Sequence, residues 1–276
     1  PHDRMKDPTG RVIHIDIDAT EFSKHRHRCV NLQADARKAL RALICAMGTS
    51  PMSWPDWTEH ALQVKRSHVC DDDRCCTPIA PQKVMHEINK LIDDDTIVTT
   101  DVGQNQMWAM HYLNIEHPRQ FITSGTFGTM GFGLPSALGA KVAMPDKKVM
   151  TITGDGGLQM VIQELATSVA DDIPVTIVLL NNGCLGMIKQ MQKHYWNGRY
   201  SAMELGDDPD FVTIAKGYRC NGIHVEKPEE IGDALRQAVE SDVTTIVEIM
   251  IDPDMDILPM LPMNPNIPII KGDCHY

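Results

Sequence analysis

Beyond residue 78 the chain alternates between two hydrophobic periods. Compact apolar runs at Ile97–Thr100, Phe121–Ser124, Lys148–Thr153, Val175–Asn181 and Thr245–Ile251 read as strands buried on both faces. Between them, apolar residues recur at helical spacing over Gln82–Asp93, Gln104–Leu113, Gly128–Ala143, Leu158–Ala170, Leu185–His194 and Pro228–Ser241. Strands regularly separated by helices predict an α/β fold, a doubly wound parallel sheet with helices on both faces.

The first third follows a different rhythm. An alternating run at Arg11–Asp18 reads as a strand and Ala34–Met47 as a helix, followed by a Trp- and Pro-containing connector. An acidic loop at Asp71–Asp73, flanked by Cys70, Cys75 and Cys76, closes this region. The reading is therefore two segments, 1–75 and 76–276, in which the first is the tail of a second α/β domain and the chain is cut from something longer.

Composition narrows the class. With 276 residues and 42% hydrophobic content the chain can bury a large core. A net charge of −11 and no basic cluster beyond Lys24–Arg28 argue against nucleic acid as a partner. No apolar run approaches the ~20 residues of a membrane helix, and cytoplasmic location is the expectation. The eight cysteines contain no Cys-x-x-Cys pair, so they read as reduced thiols rather than as a zinc or iron–sulfur site.

Chemistry concentrates at two predicted strand ends. Gly154-Asp155-Gly156-Gly157 follows one strand and opens a helix. Glycines at such a turn let backbone approach a phosphate, and the helix that follows aims free N–H groups at the anion. In an open parallel sheet this turn lies where ligands bind. Asp155 supplies a hard oxygen, and the next strand ends in Asn181-Asn182-Gly183, so neighbouring strand ends offer oxygens to one Mg²⁺ ion. Each element alone is also an ordinary capped turn.

Together, with 24 residues between Gly156 and Asn181, they resemble the metal motif of thiamine diphosphate enzymes. The segments Asp101–Trp108, Pro118–Gln120, Thr123–Gly125, Gly128–Pro135, Arg199–Ser201, Pro209–Phe211 and Leu258–Met260 narrow the resemblance to acetohydroxyacid (acetolactate) synthase catalytic subunits. That resemblance implies a thiamine diphosphate-binding fold over 76–276 and the end of the family's central domain over 1–75. It implies Mg²⁺ held by Asp155, Asn182 and the backbone carbonyl of Cys184. It also implies cofactor contacts from Gln104, Asn105, Met107, Gly128, Met130, Gly154, Gly156, Gly157, Asn182, Gly186 and Met187. In this set Gln104 and Asn105 approach the diphosphate, and Met130 is the wedge that bends the cofactor. Met187, Ile188 and Met191 would line the substrate channel.

The implied reaction joins two 2-oxoacids, pyruvate with pyruvate or 2-oxobutyrate, into an acetohydroxyacid with loss of CO₂, in branched-chain amino acid synthesis. FAD is implied for the full-length enzyme, as are a homodimer or higher oligomer and a regulatory small subunit. The family's catalytic glutamate belongs to an N-terminal domain, so no residue of this chain is assigned as catalytic and the piece alone is expected to be inactive. His111, His117 and His194 are read as structural or surface residues. Departures from the family pattern are Asn105 for His, Gly157 for Ser or Ala, Gly183-Cys184 for acidic or polar residues, and Met191 for Trp. The last predicts a weaker preference for 2-oxobutyrate. Two other readings stay open: a related thiamine diphosphate-dependent decarboxylase, carboligase or oxidase, and a non-autonomous cofactor-binding subunit.

Overall fold

A computed structural model describes residues 12–23, 29–48, 53–67, 78–206, 209–258 and 260. They fall into two compact units, a smaller one of the residues up to 67 together with Leu258 and Met260, and a larger one of residues 78–257. In the smaller unit, β1 (Val12–Asp16) pairs in parallel with β2 (Cys29–Gln33), Val12 opposite Cys29. Helix α1 (Ala36–Met47) follows, its first turn capped by Asp35, whose carboxylate accepts from the Lys38 N–H at 3.0 Å. The connector expected next is instead helix α2 (Pro55–Ser67), with Pro55 at its first position, where a missing N–H costs nothing. The Asp71–Asp73 loop with Cys70, Cys75 and Cys76 lies outside the described residues, as does the Lys24–Arg28 cluster.

In the larger unit, in chain order, are α3 (Pro81–Asn89), β3 (Thr96–Thr100), α4 (Gln104–Tyr112), β4 (Phe121–Ile122), α5 (Gly133–Ala143) and β5 (Lys148–Gly154). Then come α6 (Asp155–Gln159), α7 (Leu165–Ala170), β6 (Thr176–Asn181), α8 (Gly186–Tyr195), α9 (Phe211–Gly217), β7 (Asn221–Val225), α10 (Ile231–Val239) and β8 (Thr245–Met250). The strands form one six-stranded sheet in the order β4-β3-β5-β6-β8-β7, every pair parallel.

Alternation along each strand divides the core in two. Val98, Met150, Ile152, Val178, Leu180, Val247 and Ile249 face one side, with α3, α4 and α10 packed on them. Ile97, Val149, Ile177, Leu179 and Ile246 face the other, covered by Leu134 and Leu138 of α5, Leu158, Leu165 and Phe211. Burial on both faces is why these strands read as unbroken apolar runs. Each large side chain so buried contributes about 1.5–3 kcal/mol. The doubly wound architecture expected from the sequence is thus present, with one strand more than the sequence suggested. That strand, β7, is an edge with a mixed burial pattern, so Asn221-Gly-Ile-His-Val225 lacks the apolar run of its neighbours.

The chain leaves β3 for the edge strand β4 and returns to β5 on the other side of β3. Connections from β3 and from β5 therefore run away in opposite directions, and a crevice opens between their carboxyl ends. Among the described residues no helix is long and apolar enough to cross a membrane.

Candidate functional site

A cavity of about 250 Å³ fills this crevice. Its walls come from the turn after β3 (Val102, Gly103, Gln104, Asn105), from Trp108, and from Gly128 and Met130 in the loop before α5. Gly154, Asp155, Gly156 and Gly157 after β5 and Asn182, Cys184, Leu185, Gly186, Met187 and Ile188 after β6 complete it, with Leu180 and Ile251. Of the residues singled out from the sequence, all but two meet here. Met107 packs against the hydrophobic core on the α3 and α4 side, where its partly buried thioether fills space rather than facing the cavity. Met191, one turn beyond Met187 on α8, is likewise absent from the lining.

The oxygen donors are held in place by backbone N–H groups. Asp155 is 2% exposed; its Oδ1 accepts from Gly156 N–H at 2.8 Å and its Oδ2 from Asn182 N–H at 3.3 Å. The second bond ties the β5 turn to the β6 turn. Asn182 Oδ1 accepts from Cys184 N–H at 3.3 Å. Cys184 forms an antiparallel bridge with Glu204, and its two hydrogen bonds run from Leu185 N–H to Met203 C=O and from Leu205 N–H to Gly183 C=O. The bridge therefore does not engage the carbonyl of Cys184 itself. A carboxylate, an amide oxygen and a backbone carbonyl on one wall are the hard donors that Mg²⁺ takes.

Asn181 has another task. Only 1% exposed, it donates from Nδ2 to Glu248 Oε1 at 2.9 Å and accepts at Oδ1 from Gly183 N–H at 3.1 Å. It fixes the turn from behind, and Asn182 alone of the pair faces the cavity.

Asp101, quoted within a motif but not assigned a role from sequence, turns out to organise the far wall. Fully buried, it accepts from Val102 N–H at 2.7 Å, Gly131 N–H at 3.0 Å and Gly133 N–H at 2.9 Å. Gly133 opens α5, so a carboxylate at the end of β3 caps a helix thirty residues on and satisfies donors that α5 cannot satisfy itself. The same carboxylate lies close against the β5 turn. A Cβ on Gly157 would stand 2.5 Å from Asp101 Oδ1, so the third glycine of the turn leaves room for it.

Two buried polar atoms in the lining have no partner: Asn105 Oδ1 and Trp108 Nε1. An unpaired acceptor and an unpaired donor in one wall fit a polar ligand that completes them. Trp108 is a second residue that sequence alone passed over, since a tryptophan at helical spacing reads as core. Gln104 differs from expectation in detail. Its amide nitrogen donates to Gln190 Oε1 at 2.9 Å and to Met255 C=O at 3.1 Å. A diphosphate offers only acceptors, so Gln104 stands in the wall with its donors already engaged by protein, not aimed at phosphate. Cys220 is buried outside the cavity, where burial pushes its thiol up to about 11 and leaves it inert.

The sequence profile of thiamine pyrophosphate enzymes, C-terminal TPP binding domain, matches residues 101–249, more than half of the chain. The chain belongs to this family, whose domain binds thiamine pyrophosphate, the cofactor called thiamine diphosphate above. Within it, the chain is similar to acetolactate synthase large subunits. It is 40% identical over 268 residues to a probable acetolactate synthase large subunit of Methanococcus aeolicus, covering 92% of this chain and 45% of the relative. It is 38% identical over 255 residues to the isozyme 2 large subunit of Escherichia coli, covering 92% and 46%. With the large subunit of Corynebacterium glutamicum the identity is 37% over 263 residues, covering 92% and 42%. The chain thus spans a little under half the length of these relatives.

Proposed function

We propose that this chain is the diphosphate- and Mg²⁺-binding part of an acetohydroxyacid synthase catalytic subunit. The observation that carries the proposal is the convergence of Asp155, Asn182 and the Cys184 backbone on one wall of a glycine-lined crevice. In this reading those three groups hold Mg²⁺, and the turns of Gly154, Gly156 and Gly157 and of Gly186 and Met187 receive the diphosphate. Gly128 and Met130 close the opposite side. Met130 reaches toward the β5 turn, its methyl 3.5 Å from where a Cβ on Gly156 would stand. Thiamine diphosphate, when bound, supplies the nucleophilic carbon to which a 2-oxoacid adds before losing CO₂. The residues of this chain bind and orient it and keep water away through the apolar wall of Leu180, Leu185, Ile188 and Ile251.

The reaction is the condensation of two 2-oxoacids to an acetohydroxyacid in branched-chain amino acid synthesis. Met187 and Ile188 face the second substrate, and Met191, one helical turn further along α8, lies outside the lining. No group of this chain serves as the catalytic acid. Residues 1–75 form the end of a central domain and 76–276 the cofactor domain of a longer cytoplasmic enzyme that carries FAD, assembles as a homodimer or larger oligomer and pairs with a small regulatory subunit. The phrase "large subunit" in the relatives' names supports that last partner.

The test is the product formed from pyruvate by the longest natural form of the polypeptide, supplied with thiamine diphosphate, Mg²⁺ and FAD. Acetolactate that disappears in Asp155→Ala supports the synthase and the metal site together. Acetaldehyde, acetate or no product moves the chain to a sister reaction on the same cofactor.

A further inference from the structure

One residue of β8 does not fit the strand it stands in. Ile246, Val247 and Ile249 lie fully inside the core, yet the position between the last two is an acid. Glu248 is 6% exposed and stands in register with Leu179 of β6 on one side and His224 of β7 on the other. Residues so paired share a face of the sheet, and the carboxylate occupies a face that Ile177, Leu179 and Ile246 otherwise fill. Both of its oxygens are bonded: Oε1 accepts from Asn181 Nδ2 at 2.9 Å, and Oε2 meets His224 Nδ1 at 2.7 Å. An aliphatic side chain would avoid the cost of taking a carboxylate out of water, so the acid is to be explained by what it holds.

What it holds is the turn after β6. With its amide nitrogen on Glu248, Asn181 presents Oδ1 to the N–H of Gly183 at 3.1 Å, while Ile251 N–H holds the Asn181 carbonyl at 2.9 Å. Gly183 takes φ 66°, in the left-handed region, and its own carbonyl accepts from Leu205 N–H at 3.1 Å. On either side of it stand the proposed metal donors Asn182 and Cys184. The bonds that hold those two directly are long, 3.3 Å from Asn182 N–H to Asp155 and 3.3 Å from Cys184 N–H to Asn182 Oδ1. The shorter contacts run from Glu248 through Asn181 to Gly183, from the neighbouring strand into the turn. Neither Asn181 nor Glu248 lines the cofactor cavity.

We infer that Glu248 is a positioning residue for Mg²⁺ binding: by holding the Asn181 amide it fixes the Gly183 turn, and with it the placement of the Asn182 and Cys184 oxygens relative to Asp155. The inference rests on the proposed metal site and adds to it a residue on the far side of the turn. Without an acceptor at that reach, Asn181 Nδ2 is buried unpaired and its amide no longer has to keep the oxygen on Gly183. The acceptor is what the turn needs, and the negative charge is not.

The test uses the longest natural form of the polypeptide and reads, by equilibrium dialysis, the Mg²⁺ concentration at which thiamine diphosphate binding is half-maximal. Glu248→Gln keeps an oxygen for Asn181 and can turn its amide nitrogen to His224 Nδ1, so it is expected to match wild type. Glu248→Asp keeps the charge but is one methylene shorter. It is expected to require about tenfold more Mg²⁺, the lower end of what losing an outer partner of a metal ligand costs. Asn181→Ala should show a loss of the same size, and the double variant Asn181→Ala with Glu248→Asp no more than either alone. His224→Gln, on the other oxygen, should leave the Mg²⁺ requirement unchanged. A Gln variant that loses affinity while the Asp variant keeps it makes the charge the cause and overturns the inference. So do losses that multiply in the double variant, or a loss in His224→Gln. Lowered melting temperatures with the same Mg²⁺ requirement throughout would reduce Glu248 to a structural residue. Should the wild type bind thiamine diphosphate without regard to Mg²⁺, or not at all, it is the functional reading beneath the inference that falls.

Discussion

Adjacent asparagines at the end of β6 line two different cavities along the carboxyl edge of the sheet. Asn182 enters the 250 Å³ crevice between β3 and β5. Asn181 enters a cavity of about 500 Å³ over β6, β8 and β7, beside His224 and Glu248. The larger one is the less promising. Its asparagine, glutamate and histidine close on one another: Asn181 Nδ2 meets Glu248 Oε1, and Glu248 Oε2 takes His224 Nδ1 at 2.7 Å. In the smaller, Asn105 Oδ1 and Trp108 Nε1 have no protein partner. A binding site is marked by unsatisfied polar groups more than by volume.

This contrast can be broken experimentally. The largest effect is expected for Asp155→Ala, which should weaken Mg²⁺-dependent thiamine diphosphate binding by about 100-fold or more, at or above the upper end of what losing a mere outer partner of a metal ligand costs. Calorimetric titration showing unchanged affinity would remove the metal from this wall. Asp101→Ala takes the acceptor from three N–H groups, that of Gly133 buried and those of Val102 and Gly131 partly so, and from the start of α5. A loss of about 3 kcal/mol in denaturant unfolding is expected. Should stability hold, Asp101 is not what shapes the far wall.

Gly157→Ala is expected to cost about 1–3 kcal/mol through overpacking on Asp101, and the double change Gly157→Ala with Asp101→Ala to cost less than the sum. Additive losses in the same unfolding assay would place the strain elsewhere. The smallest effect belongs to the second cavity. The Glu248 hydrogen bond, opposed by burial and helped by Glu226, holds His224 above its ordinary value of 6.5. A raised folded value means that stabilisation is complete below pH 6.5 and fades as pH rises through the higher value. Melting temperatures should show wild type losing a slight advantage over His224→Gln from neutral to alkaline pH, with cofactor affinity alike in both. A difference that grows with pH has the wrong sign for this pairing.

Much of the site was legible because its residues are local to strand ends. Gly154 through Gly157 and Asn182 announce themselves by a turn, a spacing and a helix start within one stretch of chain. The strands β3, β5, β6 and β8 were legible because burial on both faces leaves an unbroken apolar signature. What the sequence hid depends on distant partners. Asp101 acts on Gly131 and Gly133, and Gln190 acts on Gln104, 86 positions away, and on Ile257. No periodicity encodes such pairings. The expected single helix over Leu158–Ala170 is broken into α6, a 3₁₀ turn at Ile162–Glu164 and α7, because the chain bends at Val161. The helix expected from Gly128 begins at Gly133, since Gly128 and Gly131, at φ 63° and 84°, are used for the cavity loop instead.

The position of β8 has a consequence for how such a domain is made. It is the last of the six strands in the chain, yet it lies between β6 and β7, with Ile251 N–H bonded to Asn181 C=O just behind the cavity. During synthesis the earlier strands emerge first, but β6 keeps an open edge until residue 250 has left the ribosome. The crevice therefore has no finished wall on any shorter nascent chain, and cofactor loading is an event of the completed domain rather than a guide to its folding.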